Sequence, residues 1–265
     1  MMGKPIRDDS LYETRNYLVK LAGNNKEKEE TYRLRYQIFH KELQEAPYNQ
    51  SGIEKDDYDD DCDHLILIYK RTNKIIGTYR LLPWFKMNPE KGYYSQQEFQ
   101  FIKIPREKIA EVGRLCIDKE YRKTNSFITL WIGLYRYAKS RKIRYLFGVN
   151  SLRKGTSSEN IQKIYAYLKK HKRISKKFKA KALVPLSDLN AKDLHVPKKE
   201  FKKIAPKITN NYFKLGLRFI GEPTYDEIFQ VYDLLGIFDF KSIKAKSTFS
   251  IFTFKNNIKN LLSKS

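Results

Sequence analysis

Short apolar runs with strand character alternate with stretches of helical periodicity along almost the whole chain, and that alternation leaves few folds open. Asn16–Ala22 reads as a strand. Glu27–Leu43 repeats Tyr32, Arg35, Tyr36, Phe39 and Leu43 three or four residues apart, the spacing of one helix face. His64–Lys70 and Lys74–Leu82 form a hairpin across the polar turn Arg71–Asn73, and Pro83–Gln97 is a loop. A strand at Ile109–Asp118, an amphipathic helix at Ser126–Ser140 and a strand at Arg144–Val149 follow. Thr156 or Ser157 caps a further helix that runs to about His171. Beyond it lie a basic surface loop (Lys169–Lys181), an apolar patch (Ala182–Leu186), a helix near Pro206–Leu215 and a last strand at Ile228–Phe240. Strands and helices in mixed order point to one α/β domain over residues 1–240, followed by a basic amphipathic tail over 241–265.

Charge narrows the partners. The chain has 53 Lys+Arg against 30 Asp+Glu, a net +23, and the surplus is concentrated in its second half. Arg141–Lys181 holds 14 basic residues and a single acid, Glu159. Such a face attracts polyanions: nucleic acid, an anionic membrane or an acidic protein. The chain has neither zinc-finger spacing nor a glycine-rich phosphate loop, and charge alone does not choose among the three. Two cysteines, Cys62 and Cys116, support neither a disulfide framework nor a zinc site, which suits a reducing cytoplasm. No apolar run reaches the roughly 20 residues of a membrane span. The tail interleaves lysines with Phe249, Phe252, Phe254 and Leu261, which reads either as a segment able to lie on an anionic membrane or as a disordered tail.

Two segments stand out chemically. Glu54–Asp63 packs seven carboxylates into ten residues of an otherwise basic chain. It reads either as the lip of a pocket for an ammonium group or metal, or as a solvated acidic loop. The glycine and terminal glutamate of a calcium-binding loop are missing. The second is Glu111-Val112-Gly113-Arg114 inside a central strand. Alternation puts Glu111 and Gly113 on one face, Val112 and Arg114 on the other. Charges there must be paired or face a cleft, and Arg80, also on a strand, is a candidate partner. Gly113 in mid-strand signals a bulge or a close backbone approach.

These motifs in this order resemble a known family. Leu34-Arg35-Tyr36-Gln37-Ile38-Phe39, Asp56-Asp57-Tyr58-Asp59, Cys62-Asp63-His64-Leu65 and Gly77-Thr78-Tyr79-Arg80 come first. Glu98-Phe99, Glu111-Val112-Gly113-Arg114 with Cys116, Leu130-Trp131 and Leu146-Phe147-Gly148 follow, and Tyr212, Asp226 and Asp233 fall in a C-terminal signature. Together they resemble the GNAT-fold N-acyltransferases of the ornithine lipid synthase type over residues 16–240. A more distant likeness reaches the acyl-homoserine lactone (autoinducer) synthases.

The resemblance implies a GNAT-like mixed β-sheet flanked by helices, with a C-terminal extension. It also implies transfer of a long acyl chain, with or without a 3-hydroxyl, from acyl carrier protein to the α-amine of a free amino acid. Glu111 is then the acceptor of the amine proton, with Arg114 and Arg80 beside it. Asp56, Asp59, Arg35 and Phe39 belong to the acceptor side. Leu115, Cys116, Arg122, Lys123, Thr124, Asn125, Ser126, Phe99 and Trp131 belong to the acyl and pantetheine side. No metal and no resident cofactor is expected. The run Arg122–Ser126 lacks the glycines with which coenzyme-A-dependent relatives hold a pyrophosphate. It therefore favours a carrier-bound pantetheine over acyl-CoA. A product that is an amphiphile suits a cytoplasmic protein peripheral on the inner face of the cytoplasmic membrane. The alternatives are an autoinducer-type synthase and a non-catalytic membrane- or nucleic-acid-binding protein.

Overall fold

The computed structural model describes residues 10–44, 49–186, 189 and 194–241. Its elements run β1 (Ser10–Glu13), β2 (Tyr17–Leu21), α1 (Asn25–Tyr36), β3 (Asp63–Tyr69), β4 (Lys74–Pro83), β5 (Phe99–Lys103) and β6 (Ile109–Ile117). They continue α2 (Ser126–Ser140), β7 (Tyr145–Ser151), α3 (Ser158–Lys170), β8 (Lys179–Ala182), α4 (Lys198–Ile204) and α5 (Lys207–Lys214). The last are β9 (Arg218–Phe219), β10 (Thr224–Asp226) and β11 (Val231–Asp239). A turn of π-helix, Gln37–Glu42, extends α1. Beyond Lys241 the tail lies outside the described residues. Among those described, no helix is long and apolar enough to cross a membrane.

The main sheet has the order β1-β2-β3-β4-β6-β7-β11-β10, with β9 on β11. Its pairings are antiparallel except β6 with β7. Both faces are covered, which is why β3 and β4 are buried along nearly their whole length instead of alternating. One face packs Val19, Leu65, Leu67, Ile76 and Leu146 against Leu130, Leu134 and Tyr137 of α2 and Ile161, Ile164 and Leu168 of α3. Burying one such side chain stabilises the fold by about 1.5–3 kcal/mol. Gly133 allows α2 to approach β2, because a Cβ there would stand 2.3 Å from Cγ1 of Val19.

On the other face a second sheet, β5 paired with β8, covers Phe147, Ile220 and Leu235 with Phe99 and Ala182. This pair corrects the sequence reading at one place and adds to it at another. The end of the expected basic loop, from Lys179, is a strand that runs to Ala182, and Phe99–Lys103, given no element from sequence, is its partner. The chain around β8 is bracketed by surface lysines, so its two buried alanines give little pattern to read.

The feature that makes a site is a fork in the sheet. β6 and β7 pair at Ile109↔Tyr145, Ala110↔Leu146 and Glu111↔Phe147, where their parallel ladder ends. β6 continues along β4 with a register shift: Thr78 faces Cys116 and Arg80 faces Gly113, leaving Arg114 and Leu115 opposite Tyr79. Arg114 has a φ of +53°, so the extra residue is a bulge. β7 instead stays with β11, from Gly148↔Gly236 to Ser151↔Asp233. At the crotch the backbones nearly touch, and a Cβ on Gly148 would lie 2.1 Å from the Val112 carbonyl oxygen.

Candidate active site

Between the two arms of the fork opens a cavity of about 350 Å³. Val112–Leu115 line one side and Gly148–Leu152 the other. Ile208 and Tyr212 of α5 and Leu234 and Phe238 of β11 give it a largely apolar interior. Its volume is at the small end of ligand sites. Tyr79 and Tyr212, whose hydroxyls are 3.4 Å apart, stand in its wall.

The bulge changes which side chains share a face. Strand alternation separates Arg114 from Glu111; the extra residue returns Arg114 to the side of Glu111, and both meet Tyr94. The Arg114 guanidinium lies 4.8 Å from the Tyr94 ring centre, and Glu111 accepts the Tyr94 backbone N–H at 2.8 Å. The other oxygen of Glu111 accepts the Ser95 N–H at 2.8 Å. Burial pushes the Glu111 carboxyl up, opposed by the bonds from Ser95 and the nearby Arg80. Glu111 thus anchors the short 3₁₀ turn Tyr94–Gln97 to β6 while it lines the cavity.

The acidic segment is not a solvated loop. Glu54 and Asp59 are buried, and their carboxylates, with that of Asp56, interlock with three guanidiniums. Arg35, fully buried, binds Glu54 through Nε and grips Asp59 with Nη1 at 2.6 Å and Nη2 at 3.0 Å. Arg80 Nη1 donates to Asp56 at 2.5 Å and lies 3.5 Å from Asp59. Arg114 reaches Glu54 and Asp56, each at 2.9 Å. Three positive and three negative groups therefore match. Burial by itself raises Asp59, yet Arg35 and then Arg80 hold it well below the usual carboxylate range. Asp56 and Asp59, expected either to hold the acceptor's ammonium or to position the lip, are engaged by arginines, and Arg35 lies beneath the network.

The remaining expected residues divide. Phe39, Arg80, Glu111, Arg114 and Leu115 line the cavity. Phe99 packs in the second core under β5. Trp131 packs tilted against Phe127 and Tyr212 and edge-on to Phe238. Cys116 is 1% exposed, and burial pushes its thiol well up. Arg122 pairs with Glu42, Thr124 Oγ1 accepts from the Tyr17 hydroxyl, and Ser126 Oγ donates to the Tyr121 carbonyl. Lys123 is exposed and Asn125 precedes α2 without a side-chain capping bond. None of Phe99, Trp131, Cys116 or Arg122–Ser126 lines the cavity.

One group was given no role from sequence. Glu98, Asp226 and Asp233 put carboxylate oxygens within 4.8 Å of one another, and all three line the cavity. Burial and then the Asp233 charge push Glu98 up to about 9, while burial raises Asp233 to about 6. Glu98 lies far in sequence from Asp226 and Asp233; the sequence marks all three as members of the resembling motifs, and Asp233 also as an acid inside the apolar run of the last strand.

Comparison with known proteins fits this architecture. Residues 34–132 match the acetyltransferase (GNAT) domain family. An L-ornithine N(alpha)-acyltransferase of Rhizobium meliloti is 28% identical over 86% of this chain and 81% of its own length. One of Rhodobacter capsulatus is 27% identical over 87% and 93%. Among solved structures, the CoA-dependent acyl-homoserine lactone synthase BjaI superposes with a TM-score of 0.51 at 14% identity, over 86% of this chain and 81% of that one. FeeM, an N-acyl amino acid synthase from uncultured soil microbes, gives 0.51 at 11% identity, over 91% and 100%. Fold and sequence together make this chain a GNAT-fold protein that is similar, along most of its length, to the L-ornithine Nα-acyltransferases.

Proposed function

We propose that this chain is an N-acyltransferase that moves a long acyl group from a pantetheine thioester to the α-amine of an amino acid. The observation that carries the reading is the fork between β6 and β7, which opens a largely apolar cavity beside the bulge at Arg114. Its likeness to proteins named for acyl transfer to ornithine supports it. The neutral amine attacks the thioester carbonyl, the C–S bond breaks, and the thiolate leaves and takes up a proton. Glu111 accepts the amine proton directly or through one water, using the lone pairs left by Tyr94 and Ser95. Backbone N–H groups of Arg114–Cys116 polarise the carbonyl; such a donor is worth on the order of 10²–10³ in rate. Arg80 spends one nitrogen on Asp56 and Asp59 and has donors left for an α-carboxylate. The ion-pair network holds Arg80 and Arg114 in place.

Acyl carrier protein is the proposed donor, with the basic stretch Arg141–Lys181 as its docking face. Release of an N-acyl amino acid puts the protein on the inner face of the cytoplasmic membrane.

The test is mass spectrometry of lipid extracts from cells with and without the chain, followed by thiol release from acyl carrier protein and acyl-CoA donors in vitro. A new N-acyl amino acid, absent with Glu111→Gln, is expected. No new amide in a host that supplies both substrates would refute the reading; faster release from acyl-CoA would refute the carrier donor.

A further inference from the structure

The carboxylates around the cavity are not all balanced. Glu54, Asp56 and Asp59 are matched by Arg35, Arg80 and Arg114. Glu98, Asp226 and Asp233 have no such partner among the described salt bridges. Asp233 is 2% exposed and its side chain meets Ser151 and Glu98, yet its Oδ1 has no hydrogen-bond donor among the described residues; nor has Oε2 of Glu98. Glu98 and Asp233 are in side-chain contact with each other at the cavity wall, and two such buried carboxyls are unfavourable unless a proton or a cation lies between them. In the free protein a shared proton serves, consistent with the raised Glu98 carboxyl.

We propose that Glu98, Asp226 and Asp233 form the subsite for the side-chain ammonium of a basic amino acid, so that the cavity selects diamino acids over neutral ones. The assignment rests on the acyl-transfer reading above and deepens it. An ammonium group has three N–H donors, one for each carboxylate. A hard divalent cation takes six or more oxygens, whereas the nearby lining includes Phe147, Val149, Phe229 and Leu234. Asp226 Oδ1 is also already taken by the N–H groups of Ile228 and Phe229, at 2.7 and 3.1 Å. Nor does the subsite suit the amine to be acylated. That nitrogen must be neutral to attack, and three carboxylates favour its charged form. The fixed charge therefore belongs to a second amine on the same acceptor.

The experiment compares L-ornithine with L-norvaline, which has the same carbon chain without the terminal amine, by calorimetric titration of the full chain without donor. Wild type is expected to prefer ornithine ten- to a hundredfold, the usual worth of hydrogen bonds to a charged group. Asp233→Asn and Glu98→Gln should each erase most of that preference and leave norvaline affinity within about twofold. Asp226→Asn keeps a side-chain oxygen for the turn at Ile228, so it reports on the subsite even where another variant folds poorly. Equal affinity or no binding of the two by wild type, or preference retained in all three folded variants, would overturn the assignment. So would a Mg²⁺ or Mn²⁺ site lost in the variants while the ornithine preference persists. Donor-free binding separates the two readings. Ornithine preference without any acyl transfer sinks the transferase and leaves the subsite, whereas equal acylation of both amino acids does the reverse.

Discussion

Glu98→Gln removes an ionisable group from a pair that the free protein must keep partly protonated, and the consequence for stability has a definite sign. Glu98 is raised from an ordinary 4.5 to about 9, first by burial and then by Asp233. The folded chain therefore holds a proton that the unfolded chain releases. Its contribution is fully present below about pH 4.5 and is lost progressively as pH rises toward 9. Each unit costs about 1.4 kcal/mol, or on the order of 3 kcal/mol at pH 7, reduced to about 2 because Asp233 shares the proton. Glutamine carries no such cost, and its amide N–H supplies the donor that Asp233 Oδ1 lacks. At about 2–4 °C per kcal/mol for a chain of this size, the variant should melt roughly 4–8 °C above wild type at pH 7. The gap should shrink toward zero by pH 5 and widen by pH 8.5. Circular dichroism melts of both proteins across that range give the difference directly. A gap independent of pH would show that Glu98 does not hold a proton at neutral pH, and the charge argument for the subsite would fall with it.

Arg35→Met should cost about 3 kcal/mol in urea unfolding, since buried Glu54 keeps only Arg114 and buried Asp59 keeps only the 3.5 Å contact with Arg80. Arg35→Lys should recover only part, because one ammonium cannot grip Asp59 with two nitrogens; full recovery would contradict that geometry. Gly148→Ala drives a Cβ into the Val112 carbonyl, backbone against backbone, and should destabilise by at least about 2 kcal/mol; a wild-type melting temperature would mean that the crotch of the fork is looser than described. Glu111→Gln should lower stability by about 1–3 kcal/mol as well as turnover, because its NH₂ group faces a backbone N–H of Tyr94 or Ser95. Lost turnover at unchanged stability would leave the proton-accepting role and remove the anchoring one.

Local periodicity made much of the fold legible. The hairpin of β3 and β4, the span of α2 and the Ser157 cap of α3 follow from spacing and from one capping side chain. The order of motifs likewise pointed to the GNAT fold and its relatives. Glu111 and Arg80 were singled out because a charge inside an apolar strand must be paired or face a cleft. The β5–β8 pair escaped, since its partners lie far apart in the chain and β8 alternates two exposed lysines with two small alanines.

What the sequence determined by itself was the type and order of elements, because helix and strand patterns repeat within a few residues. It also determined which charges are misplaced for a core. Only the tertiary structure decided how those charges are settled. A single bulge with Arg114 at positive φ reverses the alternation and brings that arginine beside Glu111. Glu54, Asp56 and Asp59 then find Arg35, Arg80 and Arg114, and the carboxylates of Glu98, Asp226 and Asp233 converge with no salt bridge among the described residues. Charge pairing depends on distances of a few ångströms between side chains from distant parts of the chain, and only the folded backbone sets those distances.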